Sequence, residues 1–139
     1  MRALSIRQPF AELILRGITT VEFRSRATRI VGERFYIYAS KGKGAVGSGQ
    51  WSSDNGIWSH DLSAQHPPQA MMELWEMLRA GELPSGVIVG SAVISHCTPL
   101  ATDDGRRPPL YQWHLSGVER IARPRKPTGH PQPVWFKPF

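Results

Sequence analysis

The residues best suited by type and spacing to do chemistry lie in residues 4–26, LSIRQPFAELILRGITTVEFRSR. Glu22, Arg24 and Arg26 alternate with Val21 and Phe23, so they share one face of an extended strand. A carboxylate among basic groups can orient an arginine or accept a hydrogen bond from the amino group of a nucleobase. Gln8 stands at the start of a helical pattern, where backbone N–H groups point outward and favour anions. On alternation alone, the simpler reading of Glu22 and Arg24 is a solvated outer face carrying a surface ion pair.

Thr20 adds a hydroxyl just before that strand. A hydroxyl nucleophile needs a general base, and no histidine adjoins Thr20. His114, in Tyr111-Gln112-Trp113-His114-Leu115, would need Glu22 as a partner to act as acid or base. The histidines at positions 60, 66, 96, 114 and 130 show no metal-ligand spacing, and the chain has one cysteine, Cys97. An internal disulfide and a multi-cysteine metal site are therefore excluded, and no metal or cofactor is expected. Cys97 ends an apolar run and reads as a small core residue rather than a nucleophile.

A strand-dominated scaffold must position these groups. Residues 4–6 read as a short strand. Pro9 suits the first turn of a helix; Phe10, Leu13 and Ile14 follow at helical spacing, and Gly17 ends it. Residues 21–24 and 34–40 read as strands. Residues 41–66, rich in glycine and serine, read as a flexible loop. Trp51 and Trp58 in it could stack on unpaired bases, while Asp54 and Asp61 would oppose phosphate. Pro67-Pro68 opens a second helix with Met71, Met72, Trp75 and Leu78 on its apolar stripe. Residues 86–97 read as a long buried strand and 98–109 as a polar loop. Residues 111–121 read as a strand bent at Gly117, with Tyr111, Trp113 and Leu115 toward the core and Gln112 and His114 away from it. Residues 134–136 close the pattern. This order favours an α+β, mostly β, small curled sheet or barrel with two helices over a doubly wound sheet. No glycine-rich phosphate fingerprint follows any strand.

The chain has 139 residues, 40% of them hydrophobic, which fits a single domain over residues 1–139. No apolar run approaches the ~20 residues that span a bilayer, and the start lacks a signal-peptide core. A cytoplasmic chain without membrane contact, monomeric by default, is expected. The net charge of +6 is segregated. Residues 1–44 hold nine Lys/Arg against three Glu, residues 45–105 one Arg against seven acids, and residues 106–139 seven Lys/Arg against one Glu. Ends that meet in the fold would make one basic face, which attracts phosphates through counterion release and steering. Arg120, Arg123, Arg125 and Lys126, among prolines, suit contact with backbone phosphates. The expected partner is RNA or another nucleic acid, single-stranded if the tryptophans stack. An acidic protein is the alternative use of such a face.

The same residues carry a family resemblance. Leu4-Ser5, Gln8-Pro9-Phe10-Ala11 and Gly17-Ile18-Thr19-Thr20-Val21-Glu22-Phe23-Arg24 resemble the ASCH family, whose hallmark is Gly-x-Lys-x-x-Glu-x-Arg. Ile37-Tyr38-Ala39-Ser40-Lys41, Leu83-Pro84-Ser85-Gly86, Tyr111-Gln112-Trp113-His114-Leu115 and Val134-Trp135-Phe136 are similar to its later segments. The resemblance covers the chain outside residues 42–82. It implies a PUA-like small β-barrel with two flanking helices and a cleft beside the first helix, lined by Glu22 and Arg24. Together with the basic segments it points to nucleic-acid binding by Arg7, Gln8, Thr19, Glu22, Arg24, Arg26, Lys41, Lys43, Arg123, Arg125 and Lys126. The alternative it implies is a hydrolase of modified nucleosides, or a ribonuclease, in the same cleft, with Glu22, Lys41, Thr20 and His114 as candidate catalytic residues. Thr19 stands where the hallmark has lysine, which argues against lysine-dependent hydrolysis unless Lys41 substitutes.

Overall fold

The computed structural model describes residues 1–41, 69–100 and 110–139, apart from the side chain of Met71. Lys43, the two loop tryptophans and aspartates, His60, His66, Pro67-Pro68 and most of the polar loop fall outside the described residues. The elements are β1 (Ala3–Arg7), α1 (Phe10–Leu15), β2 (Val21–Arg24), β3 (Arg34–Ser40), α2 (Gln69–Arg79), β4 (Val87–Pro99), β5 (Tyr111–Arg125) and β6 (Trp135–Phe136). They build one six-stranded sheet in the order β2-β5-β4-β3-β1-β6. This is the mostly β, curled-sheet architecture with two short helices that the strand pattern predicts. No helix among the described residues is long and apolar enough to cross a membrane.

β1 runs parallel to β3 and antiparallel to β6, with Ala3 opposite Phe136 and Leu4 opposite Trp135. The two ends of the chain therefore meet. β3 explains its own composition, because both its faces are covered. Phe35, Ile37 and Ala39 join Leu4 and Ile6 of β1, helix α1 and residues Leu74 and Trp75 in the main core. Tyr38 packs on the other face with Ala3, Ile88 and Phe136. Trp113 and Leu115 of β5 are buried in the main core, and Tyr111 packs at its margin. Gly17, at φ +74°, ends α1 and sends its N–H to the Ile14 carbonyl.

Several expectations change. Met72 is 51% exposed. α2 packs through Leu74 and Trp75 with Met77 and Leu78 beside them, and Met72 lies on the flank it shares with exposed Glu76, four residues on. β4 is buried only as far as Ile94 and emerges from Ser95. Its pairing with β3 ends at Val93, opposite Arg34, so the last stretch has a neighbour on one side only. Cys97 is consequently half-buried at the core margin rather than inside it. Thr98 and Pro99 extend β4 instead of opening the loop. β5 is one continuous strand through Arg125, with Gly117 at φ +56° and its carbonyl bound by Arg34.

Arg120 does not belong to a phosphate-facing tail. Its two guanidinium N–H groups donate to Glu12 at 3.0 and 2.7 Å, and Arg16 adds a third bond at 2.8 Å. Glu12 is 4% exposed, on a helix of six residues, so this clamp ties α1 to β5. Burial pushes its carboxyl up, but the hydrogen bonds and charges of Arg120 and Arg16 outweigh that and hold it below the ordinary carboxylate value.

Two predictions follow from this packing. A Cβ at Gly90 would lie 2.4 Å from the Glu119 carbonyl oxygen and 2.6 Å from Leu15 Cδ2. Gly90→Ala should therefore cost about 1–3 kcal/mol through overpacking, read as a lower urea midpoint at unchanged m-value. Arg120→Met should cost about 1–3 kcal/mol at pH 7, a figure moderated by the half-exposed arginine. A carboxyl with a depressed folded pKa stabilises above its unfolded value and loses that stabilisation as pH falls through the folded one. The Arg120→Met penalty should thus shrink in acid; a penalty independent of pH would contradict the clamp.

Candidate functional site

β2 pairs with β5 so that Glu22 lies opposite Trp113 and Arg24 opposite Tyr111. Residues directly opposite share a face, so Glu22 and Arg24 turn toward the Trp113 side of the sheet, not outward. Their side chains are 12% and 22% exposed. Alternation suggests the reverse because a four-residue strand with two apolar and two charged positions is usually ordered by water. Here the charges have partners. Arg24 Nε donates to Glu22 Oε2 at 2.8 Å, and Arg24 Nη2 donates to the Ser5 carbonyl at 2.8 Å. The guanidinium also lies 5.7 Å from the Trp113 ring centre, within cation–π range. Glu22 Oε1 accepts no hydrogen bond from the described residues.

Ser5 is the reason Arg24 points this way. The Ser5 N–H donates to the Val134 carbonyl, and β6 pairs with β1 only at Ala3 and Leu4. The Ser5 carbonyl thus lies beyond the reach of β6, and Arg24 satisfies it. Around the same end of the sheet, Trp113 stacks on Trp135 at 5.9 Å, and Trp113 Nε1 donates to the Arg26 carbonyl.

Arg7 and Gln8 follow Ser5 by two and three residues, placing them within ~10 Å of the Arg24 contact along the chain. Arg7 pairs with Ser40 at the end of β3, and Lys41 comes next. Gln8 is buried and its amide is used at both ends. Nε2 donates to the Pro84 carbonyl at 2.9 Å, and Oε1 accepts the Glu12 N–H at 3.0 Å. Thr19 and Thr20 lie between α1 and β2, bound through their backbones: the Thr19 N–H donates to Leu13, and the Thr20 carbonyl accepts from Leu115. Among the described residues, no side-chain hydrogen bond or ion pair joins Thr19, Thr20 or Lys41 to Glu22.

The basic ends are partly neutralised from within. Arg2 pairs with Glu33, Arg16 and Arg120 with Glu12, Arg24 with Glu22, and Arg34 with Glu119. Arg26, Lys41, Arg123 and Lys126 are exposed and have no acidic partner among the described residues. Arg125 is exposed as well and sits 3.7 Å over the Phe139 ring.

His114 pairs across from Val21, so it points away from Glu22. Its ring stacks on His96 with centres 4.0 Å apart, and its Nε2 is 2.8 Å from Thr98 Oγ1. Nothing in the spacing of residues 96 and 114 shows this pair, which depends on the bulged β4–β5 register. Glu12 was the other residue hidden in sequence. Its one signal is the i,i+4 spacing to Arg16. No group of three or more potential metal ligands occurs among the described residues. Burial and the neighbouring His96 lower the His114 pKa below its usual 6.5. Stabilisation is then complete above that value and is lost as pH falls toward the lower folded-state pKa, because the unfolded chain takes up the proton first. His114→Gln should flatten the decline in urea midpoint between about pH 7 and 5; an unchanged slope would assign the decline to other groups.

The comparisons with known proteins bear on the fold and the family. No curated protein matches the chain. The fold is similar to the crystal structure of ASCH from Zymomonas mobilis, with a TM-score of 0.50 and 16% sequence identity over 90% of this chain and 72% of that one. The family description of the ASCH domain matches residues 4–115, which include the Gly17–Arg24 hallmark, the inward Glu22–Arg24 pair and the Gln8 bracket. The chain belongs to the ASCH domain family.

Proposed function

We propose that this ASCH domain binds RNA, single-stranded RNA in particular, by seating one base at Glu22 while exposed cations hold the backbone. The observation that carries this reading is the asymmetry of the Glu22 carboxylate. Arg24 fixes one oxygen, and the other has no donor among the described residues, in a side chain 12% exposed. A largely buried acceptor gains most from a donor brought by a ligand. The exocyclic amino group of an unpaired base is such a donor. Arg26, Lys41, Arg123 and Lys126 supply positive charge that no acidic side chain among the described residues neutralises, and Arg7 lies at the same end of β1. On this reading Gln8 and Arg24 shape the site, and Glu22 reads the ligand. Binding is preferred to hydrolysis because Thr19 occupies the hallmark lysine position and His114 lies on the face opposite Glu22. The domain acts as a cytoplasmic monomer in this account.

Fluorescence anisotropy with a labelled single-stranded RNA tests it. Affinity should fall steeply with added KCl, with a log–log slope of about −0.7 per phosphate neutralised. Glu22→Gln keeps an acceptor for Arg24 but puts a donor where the free oxygen stood, so affinity should drop roughly tenfold at unchanged salt slope. Arg123→Ala with Lys126→Ala should reduce the slope instead. Absent or salt-insensitive binding would refute the reading.

A further inference from the structure

Lys41 is an exposed lysine whose stem runs close against Gly86. A Cβ built on Gly86 would lie 2.5 Å from Lys41 Cε and 3.4 Å from its Cγ, so the side chain lies along the bare backbone of that glycine. The glycine is itself pinned. Its N–H donates to the Ala39 carbonyl at 2.6 Å, two residues before Lys41. Pro84, two residues ahead of it, is held by the buried Gln8 amide, and Gln8 is held in turn by the Glu12 N–H. Leu83 is buried in the core. The short approach to β4 is therefore fixed at three points, and Gly86, at φ +75°, provides a flat bed for a lysine stem.

We propose that Gly86 and Gln8 are positioning residues for Lys41, holding its ammonium at the end of β1 and β3 so that it meets one backbone phosphate of the bound RNA. The inference rests on the RNA-binding reading and assigns a division of labour within it. A cation held before binding loses less side-chain freedom when the phosphate arrives.

The test has two arms. The chain has four lysines, at positions 41, 43, 126 and 137, so reductive dimethylation with carbon-13 gives few signals, and Lys41→Arg identifies its own. In the folded protein the Lys41 signal should stand apart from the others and move toward them in Gly86→Ala and in Gln8→Met. A wild-type signal that coincides with the other lysines, or that ignores both substitutions, would overturn the positioning. The second arm is a double-mutant cycle on single-stranded RNA affinity. Gly86→Ala should weaken binding roughly tenfold with Lys41 present and have little effect in the Lys41→Ala background. Equal losses in both backgrounds would mean that Gly86 acts through the fold and not through Lys41. RNA binding that is intact in Lys41→Ala would remove the phosphate contact while leaving the broader reading standing. A wild-type chain that binds no RNA would overturn that reading and the phosphate assignment with it, and the carbon-13 arm would still decide whether Lys41 is held.

Discussion

Arg24 joins the two ends of the sheet. β2 and β6 stand at opposite ends of the strand order, with no hydrogen-bonded ladder between them. The guanidinium spans the gap from β2, taking the Ser5 carbonyl that β6 leaves uncovered and the Glu22 carboxylate on its own strand. Its third contact, the face of Trp113, places it against the ring that stacks on Trp135 of β6. Each charge-assisted bond of this kind contributes about 1.5–3 kcal/mol when partly buried. More depends on it than that sum, since its loss would strand a backbone carbonyl and a carboxylate that are both largely withdrawn from water. The orientation of Glu22 and the contact of β2 with β1 both depend on where this guanidinium is satisfied.

A second polar chain secures the other side of the site. Arg120 and Arg16 hold Glu12, whose backbone N–H binds Gln8, whose amide binds Pro84. It runs from β5 through α1 to the approach of β4. A buried polar series of this type is favourable when each member is paired and costly when one is removed. Six residues of helix could not hold their position by propensity alone. Burial of Leu13 and Ile14 supplies the adhesion, and the Glu12 clamp supplies the orientation.

Local patterns in the sequence identify the elements well, and the two ends of β3 coincide with the residues that its β-forming run predicts. The Gly17 stop and the inward face of Trp113 and Leu115 are likewise local matters of φ and alternation. The site is less legible because its partners are distant in sequence. Arg24 meets a carbonyl 19 residues away, and Glu12 meets an arginine 108 residues away. Neither separation leaves a periodic trace. Hydropathy also points the wrong way for β2, because a charged pair satisfied inside the fold has the same pattern as one satisfied by solvent. Met72 fails for the opposite reason: an apolar residue at the flank of a stripe costs little when exposed, so its type does not fix its direction.

The commitment of Arg24 to the fold limits how a ligand can be read. Its Nε and Nη2 are committed to folding, so turning the whole guanidinium to a base or phosphate would open the contact between β2 and β1. The hallmark pair therefore divides its work. Arg24 serves the fold and fixes one oxygen of Glu22, and the remaining oxygen accepts no hydrogen bond from the described residues. Such an acceptor loses little conformational entropy on binding, so it discriminates by the presence or absence of a donor at one point. Exposed cations are indifferent to base identity and follow only charge and salt. If Glu22 reads a base as proposed, selectivity would reside in one carboxylate oxygen held by an ion pair, and substitutions at Arg24 would alter selectivity and stability together because the same guanidinium supports both.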